Sequence, residues 1–506
     1  MSLGRTLRTV RHLKPVQITN RIQRKLRRPK LRSAPGPGLR SLGQLAAPCA
    51  RQEGVLGEPG SRLHLYNLHY QDALRAPGLS AAAKREMMGR WIAANPPLHG
   101  AGWEPYPLSL RIVNWIWWAL EGNAPDQAVL DSLAIQVRAV EDQLEYHLLG
   151  NHLWANAKAL IFAGLFFAGD EAEAWLAKGM AIADAERAEQ FLADGGHFEL
   201  SPTYHQLMTE DLLDILNLAR GAGLAPGEAW TEAAGRALRW LAVMTRPDGR
   251  VPLFNDATEH SSPATRELTA YAARLGLVPP SPAAAGLSAL SETGYYRWSA
   301  PEFDIWAKMG RIGPDYLPGH AHADCFTFEL FAAGQPVIVD TGVSTYAPGP
   351  RRAYERGTTA HNTVTVGEAD LAEMWASFRV GRRPDVTAVA LSERTVAAEH
   401  DGYARLGAMH RRSFAFEEDA VVIGDALTGD RQGTARLHLA PGIEPVIDGP
   451  WINAGPVRIR ADGASSLRIE ACEIARSFGA RAPASCLEFD FTGQLATRIE
   501  RCASSS

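Results

Sequence analysis

The first half of the chain carries apolar residues at three- and four-residue spacing, which places them on one face of a helix. Segments with this spacing follow one another with only short breaks between them. They cover residues 108–120, 127–149, 152–168, 171–195, 204–222 and 230–245. The pattern predicts a run of antiparallel helix pairs between about residues 65 and 280.

The second half of the chain has a different period. Beyond the proline-rich residues 279–282, apolar and polar positions alternate in short segments bounded by Gly, Asp and Pro, which is typical of strands. The segments are 294–298, 303–309, 325–332, 336–340, 362–366, 386–391, 413–416, 420–423, 437–439, 457–459 and 467–470. So many strands predict two large antiparallel sheets packed as a sandwich. We therefore expect an α+β multidomain chain with an arm at 1–45, a helical domain at 46–283 and a sandwich at 284–506.

The composition is that of an ordinary globular protein. Of the 506 residues, 46% are hydrophobic and 21% are charged. No uncharged apolar run reaches the length of about 18 residues that a membrane-spanning helix needs. Neither half contains a Gly-rich phosphate loop that opens a helix, so we predict no nucleotide and no organic cofactor. The five widely spaced cysteines predict free thiols rather than a disulfide framework.

Positive charge is concentrated at the start of the chain. Residues 1–51 contain 13 Lys and Arg and no Asp or Glu, whereas the other 455 residues contain 39 basic and 56 acidic residues. This acidic body argues against nucleic acid as a partner. Apolar residues recur through the arm at Leu7, Val10, Leu13, Val16, Ile18, Ile22 and Leu26. The arm is predicted either to pack on the domain or to rest, as an amphipathic helix, on an anionic lipid surface or a polyanion.

Polar residues that can titrate or bind a metal collect in four short segments, at 150–156, 195–205, 318–324 and 360–363. In an extended chain, His320, His322 and Asp324 lie about 7 Å apart in succession, too far for all three to be assumed ligands of one ion. Asp340 ends one predicted strand and His361 begins another, so either can approach His322. Two imidazoles, a carboxylate and a water suit zinc, whereas the alternative is surface histidines held by hydrogen bonds.

One tyrosine stands at a position suited to chemistry. Tyr204 follows a Ser-Pro turn and precedes a predicted helix, so its phenol can point into a cleft. A tyrosine can act as a general acid or base when neighbouring cations lower its pKa. A purely structural role is the alternative for this residue.

Long motifs surround these residues. In the helical half they are LYNLHYQDAL (65–74), GWEPYPLSLRIVNW (102–115), LLGNHLWANAKALIFAGLFF (148–167), DGGHFELSPTYHQLMTEDLLDILNLAR (194–220) and VPLFND (251–256). In the strand half they are GHAHADCFTFEL (319–330), VIVDTG (337–342), TTAHNTVTVGE (358–368) and EMWASFRVGRR (373–383). In this order they resemble the heparinase II/III family of polysaccharide lyases over nearly the whole chain. The resemblance implies an N-terminal (α/α) toroid of helical hairpins, a C-terminal antiparallel β-sandwich and a cleft between them.

The family resemblance implies β-elimination on an anionic, uronic-acid-containing polysaccharide of bacterial exopolysaccharide, capsular or glycosaminoglycan-like type. In this reaction C5 loses its proton, the bond to the 4-oxygen breaks, and an unsaturated uronate remains. The proton can leave only if the charge of the adjacent carboxylate is neutralised. By resemblance, Asn151 and His152 neutralise that charge.

The resemblance also implies which residues move protons. Tyr204 would give a proton to the leaving 4-oxygen, and in some family members it also removes the C5 proton. His320 would act as the base for the other epimer or help to bind the carboxylate. Tyr346 or Tyr354, in the loop before His361, is a second candidate base.

Metal and substrate ligands follow from the same resemblance. His322, Asp340 and His361 match the ligands of a zinc ion that orders the sandwich beside the cleft. Further candidates for contact with substrate are Asn255, Asp256, Arg356, Arg379 and Arg382. The planar donor fork of arginine suits carboxylate or sulfate groups, whereas surface ion pairing is the alternative.

Two other functions stay open. A glycoside hydrolase on the same scaffold would need a carboxylate pair, for which the candidates are Glu199, Glu210, Asp211 and Asp256. A glycan-binding or assembly protein of polysaccharide production would use the cleft without turnover. The family resemblance implies the periplasm or cell envelope. The positive charges that recur as far as Arg28 leave no visible secretory signal, which indicates a cytoplasmic or inner-membrane-associated protein.

Overall fold

The computed structural model describes residues 3–51, 57–278, 280–281 and 283–502 of the chain. These residues form twelve α-helices, of which all but the last lie before residue 275. The helices are α1 (Leu3–Val10), α2 (Pro15–Leu26), α3 (Arg62–Tyr70), α4 (Ala81–Ala94), α5 (Pro105–Leu120), α6 (Gln127–Asp142), α7 (Gly150–Phe166), α8 (Asp170–Gln190), α9 (Pro202–Gly221), α10 (Glu228–Met244), α11 (Thr265–Arg274) and α12 (Pro350–Arg356). None of them is long and apolar enough to cross a lipid bilayer.

Helices α5, α7 and α9 form the centre of the helical half. Helix α7 is almost entirely buried because its sequence is apolar on most sides, and it packs against α5, α8 and α9. Pro105 and Pro202 are the first residues of α5 and α9, where the missing N–H has no intrahelical partner to lose. The first turns of α5 and α9 place Tyr106 and Tyr204 at the pocket described below.

The second half consists of strands. They are β1 (Gly286–Leu290), β2 (Tyr295–Ser299), β3 (Phe303–Lys308), β4 (Phe328–Ala332), β5 (Gln335–Ile338), β6 (Val364–Val366), β7 (Met374–Trp375), β8 (Arg379–Val380), β9 (Val386–Ser392), β10 (Thr395–His400), β11 (His410–Phe416), β12 (Ala420–Leu427), β13 (Gln432–His438), β14 (Val446–Asp448), β15 (Trp451–Ala454), β16 (Val457–Ser477) and β17 (Ala480–Arg501). Each pair of these strands is antiparallel.

Two large sheets build the sandwich. Strands β1 to β5 form a meander in chain order, and the larger sheet runs β14-β15-β16-β17-β12-β11-β10-β9, with β13 pairing with both β17 and β6. Aromatic side chains join the two sheets. Trp298 on β2 stacks on Phe416 of β11 with ring centroids 5.1 Å apart, and Phe328 on β4 packs on Phe414 at 5.4 Å. The sandwich core therefore lies between the faces of the two sheets.

Buried polar contacts join the helical half to the sandwich. The carboxylate of Glu329 on β4 accepts hydrogen bonds from Arg246, over 2.9 Å, and from the backbone N–H of Leu253, over 2.8 Å. Nearby, the backbone N–H of Asp256 donates to the carbonyl of His320 over 3.1 Å. These bonds hold the segment between α10 and α11 against the edge of the sandwich, beside His320.

The α+β architecture with a helical toroid followed by a β-sandwich is confirmed. The last helix of the toroid ends at Arg274 and the first strand begins at Gly286. All five cysteines are free, as predicted. The strand prediction missed β1, β7, β8, β10, β14 and β15, and it was wrong at the C-terminus, where two short segments lie in the single strand β16 and β17 was missed. Register shifts between Asp462 and Ser466 interrupt the alternation on which that prediction depends.

Candidate active site

A pocket of about 320 Å³ lies where the toroid meets the sandwich. Helices α3, α5, α7 and α9 form one wall, which includes Asn151 and Tyr204. The other wall comes from Tyr346, in the loop after β5, and Phe478, in the turn between β16 and β17. Both halves of the chain are therefore needed to form this pocket.

Asn151 lies in the first turn of α7. Its backbone N–H donates to Glu199 Oε1 over 3.0 Å, and its Nδ2 donates to both oxygens of the same carboxylate over 2.9 Å. Glu199 thus lies at the positive end of the helix. Gly150 has a φ of 58°, and a Cβ at this position would lie 2.7 Å from Glu199 Oε1. Glycine is required there for the close approach of the carboxylate.

Tyr204 lies in the first turn of α9 and faces the pocket. Its ring stacks on the His320 imidazole, with centroids 3.8 Å apart, and its hydroxyl lies 3.5 Å from that of Tyr346. Burial, and then the neighbouring Tyr346, raise the pKa of Tyr204 well above its ordinary value. The pKa of Tyr204 is thus raised and not lowered by its surroundings. A phenol that keeps its proton is suited to donate it.

His320 joins the toroid to the sandwich behind Tyr204, next to the residues that line the pocket. Its Nδ1 lies 2.9 Å from Asp256 Oδ2, whereas its Nε2 makes only longer contacts, 3.3 Å to Glu199 Oε2 and 3.5 Å to Asn151 Nδ2. The tight contact to Asp256 favours the tautomer that carries its proton on Nδ1. In that tautomer Nε2 holds a free electron pair beside Tyr204.

Asp256 is the centre of a buried ion cluster. Arg352 donates to both of its carboxylate oxygens, over 2.5 and 2.8 Å, and His322 Nε2 lies 2.8 Å from Oδ1. Burial by itself raises the pKa of Asp256, but Arg352 and the two histidines hold it well below its usual range. Asp256 is therefore ionised at neutral pH and fixes the orientation of His320.

His152 lies behind the pocket wall. Its ring packs on Tyr106, a lining residue, with centroids 4.4 Å apart, and its Nδ1 lies 3.3 Å from Glu145 Oε1. Burial opposes the charged form of the imidazole, but the Glu145 carboxylate outweighs this effect and raises the pKa of His152. The protonated form of His152 is thus favoured, and it would place a positive charge near Asn151, where a substrate carboxylate has to be neutralised.

The structure separates the two tyrosines that stayed open as a second base. Tyr346 lines the pocket opposite Tyr204, and the guanidinium of Arg352 lies 4.9 Å from the centre of its ring. Tyr354 lies on α12, beside Arg351, and does not line the pocket. Only Tyr346 of this pair is brought to the other candidates.

Three predicted substrate-binding residues lie elsewhere. Asn255 is fully buried, and its amide donates to the carbonyls of Leu200 and Ile312 while its oxygen accepts from Lys308. Its side chain therefore makes structural hydrogen bonds and does not line the pocket.

The two arginines differ from each other in position. Arg356 is buried and donates to backbone carbonyls of Ala321 and Ala376, and burial followed by repulsion from Arg352 lowers its pKa to about 9. Arg379 is exposed, with its guanidinium 5.0 Å from the Trp375 ring. Neither lines the pocket. The prediction that Asn255, Arg356 and Arg379 contact substrate therefore has no support in their positions.

The predicted zinc ligands lie together behind His320. His361 Nδ1 lies 3.0 Å from both oxygens of Asp340, and the rings of His322 and His361 have centroids 5.3 Å apart. His322 Nδ1 and His361 Nε2 are buried and have no hydrogen-bond partner among the described residues. Two free nitrogens on adjacent rings suit a soft divalent cation. Within the described parts of the chain, however, no group of three or more His, Cys, Asp or Glu is arranged to hold a metal ion.

The carboxylates considered for a hydrolase are engaged by protein groups. Glu210 pairs with Arg75 over 3.2 Å, and Asp211 pairs with Lys158 over 2.5 Å. Glu199 accepts from Asn151, and Asp256 from Arg352, as described above. The arrangement therefore favours chemistry by phenol and imidazole over chemistry by two free carboxyl groups.

Sequence reasoning missed Arg352 and gave Glu199 a different role. Arg352 lies 96 positions from Asp256, and Glu199 lies 48 positions from Asn151. Arg352 stands next to Arg351 in a polar segment with no periodic signal. The one available hint for Glu199 was its place inside the motif at 194–220, which also contains Tyr204.

The fold and the pocket define a protein with an (α/α) toroid and an antiparallel β-sandwich that meet at a cleft lined by tyrosines and polar groups. The model of the heparinase II/III N-terminus matches residues 125–276, and that of the heparinase II/III-like C-terminal region matches residues 282–500. The chain belongs to the heparinase II/III family.

Known proteins support this assignment. A heparin-sulfate lyase of Bacteroides stercoris is 27% identical over 315 residues, which are 58% of this chain and 46% of that protein. A heparin-sulfate lyase of Pedobacter heparinus is 26% identical over 331 residues, which are 59% of this chain and 48% of that protein. The matched region thus spans about half the length of these curated relatives. The crystal structure of heparinase III has the same fold, with a TM-score of 0.72 at 21% identity over 88% of this chain and 79% of that one.

Proposed function

We propose that the protein cleaves a uronic-acid polysaccharide by β-elimination. The observation that carries the proposal is the stacking of the His320 imidazole on Tyr204, whose hydroxyl meets that of Tyr346 in the pocket, beside the Asn151 amide. Membership of the heparinase II/III family and relatives named heparin-sulfate lyase support it. An imidazole base and a protonated phenol are the pair that elimination needs.

His320 is assigned as the base that removes the C5 proton. Its Nδ1–H donates to Asp256, so the electron pair on Nε2 is free to accept a proton. The C5–H electron pair becomes the new C4–C5 double bond as the bond from C4 to the leaving oxygen breaks. Because ionised Asp256 faces Nδ1, it stabilises the imidazolium that forms.

Tyr204 is assigned as the acid that protonates the leaving 4-oxygen. Its raised pKa keeps the phenol protonated at neutral pH. After release of the product His320 gives the C5 proton to solvent, and the Tyr346 hydroxyl, 3.5 Å from that of Tyr204, is positioned to pass a proton from solvent to Tyr204. The Asn151 amide and a cationic His152 would neutralise the substrate carboxylate while charge develops on it.

The first experiment is an ultraviolet absorbance assay of the purified protein on a panel of polysaccharides. We expect absorbance of the conjugated double bond to rise with at least one of heparin, heparan sulfate, chondroitin sulfate, hyaluronan and alginate. Dextran sulfate is the control, because it carries negative charge but no uronate and cannot yield that product. Saturable binding to a panel member without any rise, by a folded protein across pH 5 to 9, would contradict the proposal and favour a binding protein.

We also propose that His322 and His361 bind a structural Zn²⁺ ion, with the Asp340 carboxylate beside it. The two unpartnered ring nitrogens support this site, and Asp340 is placed to orient the His361 ring. Bound zinc would stabilise the junction of β5 and β6 with the segment that carries His320. The proposal gives the metal no chemical step.

Metal content and thermal unfolding test the zinc site. We expect about one Zn²⁺ per chain, and loss of about 5 °C or more in melting temperature on chelation, because binding free energy adds to folding free energy. His361→Ala should lose both the metal and the chelator effect. His99→Ala, at an exposed histidine, is the matched control and should retain them. Equal zinc content in His361→Ala and the wild type would refute this site.

A further inference from the structure

The arm folds as two short helices whose polar faces dock on the protein. In α1, Arg5 and Arg8 pair with Glu373 over 3.2 and 2.7 Å, and the Thr9 hydroxyl accepts a hydrogen bond from Trp375 Nε1 over 3.0 Å. These contacts connect α1 to the hairpin of β7 and β8. The face of α1 that touches the protein is therefore its polar face.

Helix α2 is docked in the same way. Gln17 is fully buried and donates from Nε2 to the backbone carbonyls of Leu148, over 3.1 Å, and Tyr316, over 3.3 Å. About one turn before it, Lys14 pairs with Glu189 over 2.5 Å, and in the last turn of the helix Arg24 donates to the carbonyl of Gln143 over 3.0 Å. Polar side chains again make the attachment.

The apolar faces of both helices consequently point to solvent. At about 100° per residue, Leu3, Leu7 and Val10 share the side of α1 that lies away from Arg5 and Arg8. Ile18, Ile22 and Leu26 share the opposite side of α2 from Gln17 and Arg24. Of the nineteen large apolar residues exposed in the described parts of the chain, nine lie in its first 39 residues. An ordinary surface helix buries its apolar face and exposes its polar face, so α1 and α2 have the reverse arrangement.

Uncompensated positive charge flanks these stripes. Six bases of the arm pair with no carboxylate among the described residues. One of them, Arg24, lies on the docked face of α2, and the five that flank the stripes are Arg11, Arg21, Lys25, Arg28 and Lys30. Lys25 lies about 20° from Ile18 on the helical projection, at the edge of the apolar stripe, so charge and apolar surface occur side by side.

We infer that the arm binds an anionic lipid surface, with α1 and α2 lying along it. Six apolar side chains enter the interface: Leu3, Leu7, Val10, Ile18, Ile22 and Leu26. The flanking bases contact the headgroups. A soluble polyanion would use the charges but leave the apolar stripes in water. A second copy of the chain would bring two sets of unpaired bases face to face.

Vesicle sedimentation of the purified protein tests this inference. We expect binding to vesicles of phosphatidylglycerol and phosphatidylcholine in equal parts, weakened by salt, and little binding to phosphatidylcholine alone. Leu7→Gln/Ile22→Gln/Leu26→Gln should weaken the binding about tenfold or more. Arg21→Gln/Lys25→Gln/Arg28→Gln should do the same on the anionic vesicles. Val446→Gln/Ile447→Gln, at exposed apolar residues of β14, is the matched control and should bind like the wild type.

Three results would overturn the inference. The first is unchanged vesicle binding by either triple variant. The second is binding of the wild type to dextran sulfate but not to vesicles, which would favour a polyanion. The third is a dimer in solution that the apolar triple variant converts to a monomer. Activity on soluble polysaccharide should be the same in all these variants, so the outcome is independent of the proposed elimination.

Discussion

Tyr204→Phe is expected to lower the rate of elimination by about 10²- to 10⁴-fold, because the leaving oxygen would have to depart without a proton. The change removes one hydroxyl whose described neighbour, the Tyr346 hydroxyl, lies 3.5 Å away, and leaves the stacking on His320. The free energy of unfolding should therefore change by less than about 1.5 kcal/mol. Product absorbance at saturating substrate, together with urea unfolding, measures both effects.

Tyr354→Phe is the matched control for this prediction. It makes the same chemical change on α12, outside the pocket, and should retain wild-type activity. If Tyr204→Phe were as active as Tyr354→Phe, Tyr204 would not be the acid. Tyr346→Phe should show an intermediate loss, because Tyr346 is assigned to return a proton to Tyr204.

Asp256→Asn is expected to impair both catalysis and stability. The neutral amide can no longer stabilise the His320 imidazolium or select its tautomer, so the rate should fall by about 10²- to 10⁴-fold. The buried guanidinium of Arg352 also loses its charged partner, at a cost of about 3–5 kcal/mol in the free energy of unfolding. Activity is measured well below the melting temperature of the variant, so that only folded protein is compared.

The stability effect of Asp256→Asn should depend on pH. The folded-state pKa of Asp256 lies below its unfolded value of about 4. The advantage of the wild type is therefore fully present above about pH 4 and shrinks as the pH falls below it. Asp304→Asn, which removes a partly exposed carboxylate paired with Arg297, is the control and should cost less than about 1 kcal/mol. Wild-type activity in a folded Asp256→Asn protein would exclude the assigned role.

The division of the chain into two halves was readable from the sequence. Helices repeat every 3.6 residues and strands every two, so the face that each element buries leaves its period in the sequence. The helices before Arg274 and the strands after Gly286 show these two periods. The signal failed at β16 and β17, where bulges shift the register and many positions are partly exposed on both faces.

Only part of the candidate site could be predicted from the sequence. Tyr204 and Asn151 lie in long motifs that resemble a known family, whereas Arg352 lies in a polar stretch without such a signal. Asn255 and Arg356 are polar residues near motifs, which made them candidates for contact with substrate. Their burial against backbone carbonyls is a property of the packed chain, and it leaves no trace in spacing or composition.

The sequence by itself determined the order of toroid and sandwich, the basic arm, and the residue types available for chemistry, because these depend on local period and composition. Only the tertiary structure decided which side chains meet. Tyr204 and Tyr346 are 142 positions apart, and Arg352 and Asp256 are 96 apart. It also decided that Tyr204 keeps its proton and that Asp256 loses it, since burial and neighbouring charge set each pKa and both arise from distant segments packed together.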